Sequence, residues 1–262
     1  MKPKKQSKQS KWYAEQSGFF GQTYLDTYKH LFTKTRTIEE VNFIEKVLKL
    51  KNGLSVLDLA CGHGRHAILL AHRGYKITGQ DLNSFFLKKA EKEALRNNVK
   101  IKWIKGDMRK IIFRNEFDIV LDLFTAFGYL ENDAEDLKVL QQVAKALKPG
   151  GKFFLDIINR EWIIRNFEAT KKEKLPNGIT VTHYREFDLE KSRHHEHRII
   201  IFKDKKRKSL DIYLRLYTLT ELIQMCKKVG LSFVEAYGDY NGKKYSFDSK
   251  RTILIVKKDK RK

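Results

Sequence analysis

Val56-Leu57-Asp58-Leu59-Ala60-Cys61-Gly62-His63-Gly64-Arg65-His66, followed by Tyr75-Lys76-Ile77-Thr78-Gly79-Gln80-Asp81, decides how this 262-residue chain is read. The first stretch is an apolar strand that runs into a glycine turn and then a helical pattern; the second is another strand, ending in an acid. Gly62 and Gly64 let the backbone turn sharply and let a ligand come close, because no Cβ stands in the way. Asp81 follows Asp58 by 23 residues. In a nucleotide-binding β-α-β unit a carboxylate at about that distance holds a ribose diol. The stretch therefore predicts a nucleoside-cofactor site.

The kind of nucleoside follows from the acids. A dinucleotide needs an anion cradle, usually G-x-G-x-x-G at a helix N-terminus. Here Ala67, not a glycine, follows Gly64 at the third position, and Asp58 stands at the strand end beside the loop. A carboxylate there repels a pyrophosphate but suits an ammonium or a sulfonium. S-adenosylmethionine carries both, with a ribose for Asp81.

These residues resemble class I S-adenosylmethionine-dependent methyltransferases. The first motif of that family, roughly D-x-[AG]-x-G-x-G, stands as Asp58-Leu59-Ala60-Cys61-Gly62-His63-Gly64, with Ala60 replacing the first glycine. Gly106-Asp107-Met108 is similar to the adenine-edge motif, Phe117 to Asp122 to the fourth strand, and Leu147-Lys148-Pro149-Gly150-Gly151-Lys152 to the turn into the fifth. The resemblance covers residues 37–160 and, more loosely, 210–258. It implies a Rossmann-like seven-stranded, mostly parallel α/β sheet flanked by helices. It also implies S-adenosyl-L-methionine as cofactor, S-adenosyl-L-homocysteine as product, and a cofactor site of Asp58, Ala60, Gly62, Gly64, Arg65, Asp81, Leu82, Gly106, Asp107, Met108, Asp122 and Leu123.

Element periods agree. Strands near 54–60, 75–80, 100–105, 117–122 and 152–158 alternate with helices near 64–73, 84–97 and 133–147, which predicts a parallel sheet. Thr37 reads as a helix N-cap with Glu40 as its capping-box partner. The alternation breaks after Asp156. Ile179 to Leu189, Arg193 to Phe202 and Leu210 to Tyr217 are strand-like, and Asn177-Gly178 signals a turn. This predicts an antiparallel β insert after the fifth strand. A helix from Thr220 to Val229 and strands near 231–238 and 251–257 then close the sheet.

Three segments result: an N-terminal helical cap over 1–36, the cofactor-binding domain over 37–160 and 218–258, and an antiparallel insert over 161–217 acting as a substrate lid. The cap is rich in rings: Trp12, Tyr13, Phe19, Phe20, Tyr24, Tyr28 and Phe32. It is read as crossing the mouth of the site, or as an ordinary helical cap.

Methyl transfer from a sulfonium mainly requires an oriented acceptor and exclusion of water. Neither a triad nor a metal set is expected. His194-His195-Glu196-His197 alternates faces on a strand and reads as solvated. The acceptor side should lie at Asp122 to Tyr129, where the proline-containing base-methylation motifs are missing. Arg215-Leu216-Tyr217-Thr218-Leu219-Thr220-Glu221-Leu222 is similar to a C-terminal pattern of small-molecule methyltransferases. Tyr129, Arg215 and Tyr217 are therefore candidates for acceptor contact, with Arg215 either pairing an anionic substrate group or forming a surface ion pair. His183 and Arg185 form a similar same-face pair.

Composition sets the bounds. Two cysteines, Cys61 and Cys226, make no disulfide framework, which suits a reducing cytoplasm. Neither a membrane span nor a secretory leader is expected. The net charge of +22 invites a nucleic-acid partner, but residues 1–11 and 250–262 supply half of it, as solvated tails often do. The expected function is methyl transfer to N or O of a small molecule, an anionic one if Arg215 pairs with it. RNA or a protein side chain is the alternative acceptor, with the basic tails as its clamp. A noncatalytic cofactor-binding module is the third reading. Oligomeric state is left open.

Overall fold

The computed structural model describes residues 11–260. Their apolar periods sort into two sheets. In chain order the elements are α1 (Gln22–Tyr28), α2 (Lys34–Leu48), β1 (Ser55–Leu59), α3 (Arg65–His72), β2 (Lys76–Asp81), α4 (Ser84–Arg96), β3 (Lys102–Lys105) and β4 (Phe117–Asp122). There follow α5 (Asp133–Ala146), β5 (Leu147–Ile158), α6 (Arg160–Arg165), β6 (Thr170–Lys174), β7 (Thr180–Asp188), β8 (Arg193–Ile201), β9 (Arg207–Arg215), α7 (Leu219–Lys228), β10 (Leu231–Tyr237) and β11 (Arg251–Lys258).

The first sheet has seven strands in the order β3-β2-β1-β4-β5-β11-β10. β3, β2, β1, β4 and β5 run parallel; β11 is antiparallel to both β5 and β10. Side chains alternate across a strand, so each strand feeds two apolar layers. Leu57, Val120, Phe153 and Leu155 join Val139, Leu140 and Val143 of α5 and Leu222 of α7. Val56, Leu121 and Phe154 join Val41 and Ile44 of α2 and Leu70 of α3. The strand order reverses between β1 and β4, and ligands of such sheets bind beyond the strand carboxyl ends at that point.

Local chemistry fixes the helix starts. Asn83 and Asn132 accept N–H groups at the heads of α4 and α5, and Thr218 with Glu221 forms a capping box on α7. The expected cap at Thr37 is corrected. Thr33 caps α2 by accepting the Arg36 N–H, and Thr37 lies one turn inside, its hydroxyl donating to the Thr33 carbonyl. The Thr33 cap leaves Glu40 free for the side-chain pairings described below.

The second sheet is an antiparallel meander, β6-β7-β8-β9. Residues 12–32 pack against it: Trp12 and Phe19 share a cluster with Ile212 of β9. Lys208 Nζ donates to the Gly18 carbonyl at 2.6 Å, Asn177 to the Asp26 carbonyl at 2.6 Å, and Arg198 to the Tyr28 hydroxyl at 2.6 Å. On its other side the segment is tied to the first sheet, where Asn83 Nδ2 donates to the Phe20 carbonyl.

The reading of residues 194–197 as solvated holds for one face alone. His194 and Glu196 are buried, and Glu196 is held by His183, Arg185 and Arg198. On the outer face His195 and His197 both reach Asp211. Buried ion pairing, which alternation alone does not reveal, organises the inner side of the meander.

Candidate active site

A cavity enclosing about 1050 Å³ of empty space lies at the carboxyl ends of β1, β2 and β4. Asp58, Ala60, Gly62, Arg65, Asp81, Leu82, Gly106, Asp107, Met108, Leu123 and Tyr129 all line it. Residues separated in sequence by up to 71 positions thus face one space.

The turn after β1 is unusual backbone. Ala60, Gly62 and Gly64 all take positive φ, 55°, 54° and 77°. A Cβ on Gly62 would meet nothing within 4 Å, so the space over that glycine is open to a ligand. Gly64 serves the fold instead. A Cβ there would stand 2.7 Å from Trp103 and 2.9 Å from Ala90, inside the packing of α3 on its neighbours.

Two buried acids form the floor. Asp58 is 2 % exposed and its Oδ2 has no hydrogen-bond partner among the described residues. Burial raises its pKa to about 7, against the pull of Arg65 and with the push of Asp81. Asp81 accepts the Gly62 N–H at 2.7 Å and the Asn83 N–H at 2.8 Å. Burial raises it to about 6 although those N–H groups favour the carboxylate. An acid buried with an orphan oxygen is costly unless a cation completes it. Arg65 is bound to Glu40 and to the Thr37 hydroxyl, yet its Nη2 is buried without a partner.

The opposite wall is aromatic. Tyr13, Phe20, Tyr24 and Phe32 come down from the N-terminal segment, and Phe124 and Tyr129 come from the loop after β4. Phe20 packs against Tyr24 and Tyr129 with centroids at 5.2 and 5.8 Å. Phe124 and Thr125 both have positive φ, 61° and 66°. Such strain persists where neighbours over-determine it. Asp156 does so here, its carboxylate accepting the Phe124 N–H and its carbonyl the Thr125 N–H, while Arg251 and Tyr240 hold the carboxylate. Guanidiniums of Arg36, Arg65 and Arg251 stand 5.6–5.9 Å from the Phe124 ring.

Three expected contacts are corrected. Arg215 is buried outside the cavity, where it binds Asp133, Glu221 and the Leu216 carbonyl. Tyr217 is 1 % exposed and donates to Asp136 at 2.8 Å. Both hold β9 and α7 against the head of α5, because acids in that first helical turn attract them. Asp122 is fully buried and lies behind the wall, where burial with Asp156, Asp58 and Asp136 raises its pKa well above the usual carboxylate range. Its neighbour Leu123 faces the cavity instead.

Sequence reasoning missed His63, Asn83 and Phe86, all of which line the cavity. Asn83 carried a signal, standing two residues after Asp81 at a helix start. Burial lowers His63 to about 4, and it has no hydrogen-bond partner among the described residues.

Residues 56–151 match the family model described as a methyltransferase domain. Those residues carry a methyltransferase domain, and the chain as a whole has the Rossmann-like fold of S-adenosylmethionine-dependent methyltransferases. The chain is 27 % identical over 79 % of its length to a cypemycin N-terminal methyltransferase of a Streptomyces species, covering 84 % of that protein. It is 33 % identical over 49 % of its length to a ubiquinone biosynthesis O-methyltransferase of Vibrio cholerae, and spans about half of that relative, 53 %. A solved S-adenosylmethionine-dependent methyltransferase from Clostridium acetobutylicum shares the fold, with a TM-score of 0.78 at 18 % identity over 91 % of this chain and 97 % of that one.

Proposed function

We propose that this methyltransferase moves a methyl group to N or O of a small molecule held under residues 13–32. One observation carries the reading: the acidic floor and the aromatic wall line one cavity at the carboxyl ends of the strands. S-adenosylmethionine supplies a sulfonium-activated methyl group, so little covalent chemistry is left to the protein.

The residues fit that cofactor. The orphan Oδ2 of Asp58 suits its ammonium, and Asp81 suits the ribose hydroxyls. Open space over Gly62 admits the chain of the ligand close to the backbone. Leu82, Gly106, Asp107 and Met108 form the adenine end, and the unpartnered Nη2 of Arg65 suits the carboxylate. Ala60 and Leu123 complete the walls, and Gly64 acts by packing. Tyr129 stays the acceptor-side candidate. The aromatic segment excludes water, and the insert acts as a lid by holding that segment from behind.

The relatives named above act, by their names, on an N-terminus and in ubiquinone biosynthesis. RNA or a protein side chain is the second reading, favoured by the +22 charge. Among the described residues no helix is long and apolar enough to cross a membrane. We place the enzyme in the cytoplasm. Methyl-labelled S-adenosylmethionine incubated with enzyme and a cell extract, then split into RNA, protein and small-molecule fractions, tests the proposal. Label should enter the small-molecule fraction. Label in RNA or protein establishes the second reading.

A further inference from the structure

We infer that the acceptor atom is an uncharged amine nitrogen, seated against Phe20 between the Tyr24 and Tyr129 hydroxyls. The inference rests on the small-molecule reading above and narrows it from N or O to N.

Charge is segregated in the cavity. The acids among its described lining residues, Asp58, Asp81 and Asp107, belong to the proposed cofactor side. The acceptor wall offers rings and three phenol groups, those of Tyr13, Tyr24 and Tyr129. Neither the Tyr24 nor the Tyr129 hydroxyl has a hydrogen-bond partner among the described residues. Burial raises both tyrosine pKa values, so both hydroxyls stay neutral. They are free to accept an amine N–H and so aim the lone pair at the methyl group.

A proton acceptor for an alcohol is missing among these residues. His66 is tied to Glu40 at 2.8 Å. His63 is free, but burial holds it near 4, too weak a base for the task. An alcohol with a pKa near that of water, about 16, is ionised to roughly one part in 10⁹ at pH 7. An alkyl amine near the lysine value of about 10.4 is neutral to roughly one part in 10³, with no help from the protein. A phenolate would bring its negative charge to ring faces that are themselves negative.

Charge flow points the same way. The nitrogen lone pair forms the new N–C bond while the S–C bond breaks and its electron pair stays on sulfur as a thioether. Positive charge thereby passes from sulfur to nitrogen, and the methylated ammonium later gives its proton to water. Faces of Phe20, Tyr24 and Tyr129 stabilise a cation at that position in the way rings stabilise ammonium groups.

Two readouts test this. First, the labelled small-molecule product is heated in alkali and acid. Label that stays bound as an N-methyl group supports the inference; label released as methanol from an ester, or found in an ether, overturns it while leaving the small-molecule reading intact. Label in RNA or protein instead overturns that reading and the inference with it. Second, calorimetry compares sinefungin, whose amine occupies the place of the sulfonium methyl, with S-adenosylhomocysteine. Tyr129→Leu and Tyr24→Leu should each lower the sinefungin-to-homocysteine affinity ratio by about 2- to 30-fold. Retained S-adenosylhomocysteine binding shows that each variant is folded. An unchanged ratio in both variants overturns the inference.

Discussion

The floor and the roof of the cavity are built in opposite ways. The floor is backbone and buried acid: a left-handed turn at Ala60, Gly62 and Gly64 over Asp58 and Asp81. The roof is side chain on side chain: rings of residues 12–32 pressed onto Tyr129 and Phe124, with β8 and β9 holding them from outside. The second sheet supplies none of the described lining residues. Under the proposed function, a cofactor of fixed shape suits a floor set by backbone, and the acceptor meets a wall of packed rings.

Substitutions should separate the two. Gly64→Val carries the largest expected effect, because its Cβ would enter the packing of Trp103 and Ala90 at φ 77°. Overpacking and backbone strain together should cost roughly 3–5 kcal/mol of stability, read as a fall in the denaturation midpoint. Gly62→Val should stay folded, at about 1–2 kcal/mol of left-handed strain, and lose cofactor binding. Equal stability of the two variants would erase the distinction between fold glycine and ligand glycine.

Asp81→Ala should weaken S-adenosylhomocysteine by about 1.5–3 kcal/mol, the worth of a charge-assisted hydrogen bond. Calorimetry at pH 8 reads it, and unchanged affinity would remove Asp81 from the floor's ligand set. Arg215→Ala should behave as a support outside both halves: about 1–3 kcal/mol of stability lost through its uncompensated partners Asp133 and Glu221, with cofactor affinity spared. Lost affinity with stability intact would return Arg215 to the cavity.

The floor should also titrate. Asp58, raised by burial to about 7, binds its proton more tightly folded than unfolded. The cofactor-free protein therefore loses stability as pH rises toward 7. S-adenosylhomocysteine affinity runs the other way, since the ammonium needs the carboxylate: it should fall by up to about tenfold per pH unit below 7. Asp58→Asn should make both slopes shallower, the remainder of the stability slope belonging to Asp81 and Asp122, which burial also raises; slopes unchanged in that variant would assign them elsewhere. The smallest effect belongs to the tails. Deleting residues 1–9 and 259–262, of which 1–9 and 261–262 lie outside the described residues, should leave turnover nearly unchanged and reduce salt-sensitive RNA binding. A large loss of turnover would favour the RNA reading.

What was legible in the sequence follows the same division. The strands and the motif at Asp58 to Gly64 could be read because strand-turn-helix geometry is local and restricts residue types. Tyr129 could be reached from its place after β4. Arg215 and Tyr217 could not, because their partners Asp133 and Asp136 lie about eighty residues away and alternation on a strand does not say which face meets which acid. The Asp156 clamp on Phe124 spans 32 residues, and the Glu196 network pairs adjacent strands whose buried face alternation alone does not identify.

A structure of the enzyme soaked with S-adenosylhomocysteine tests the central claim most directly. The account predicts the ribose hydroxyls on Asp81, the ammonium on Asp58 Oδ2, and the sulfur facing Tyr24 and Tyr129 across an open gap. Ligand bound elsewhere, or with its sulfur turned away from those tyrosines, would contradict it.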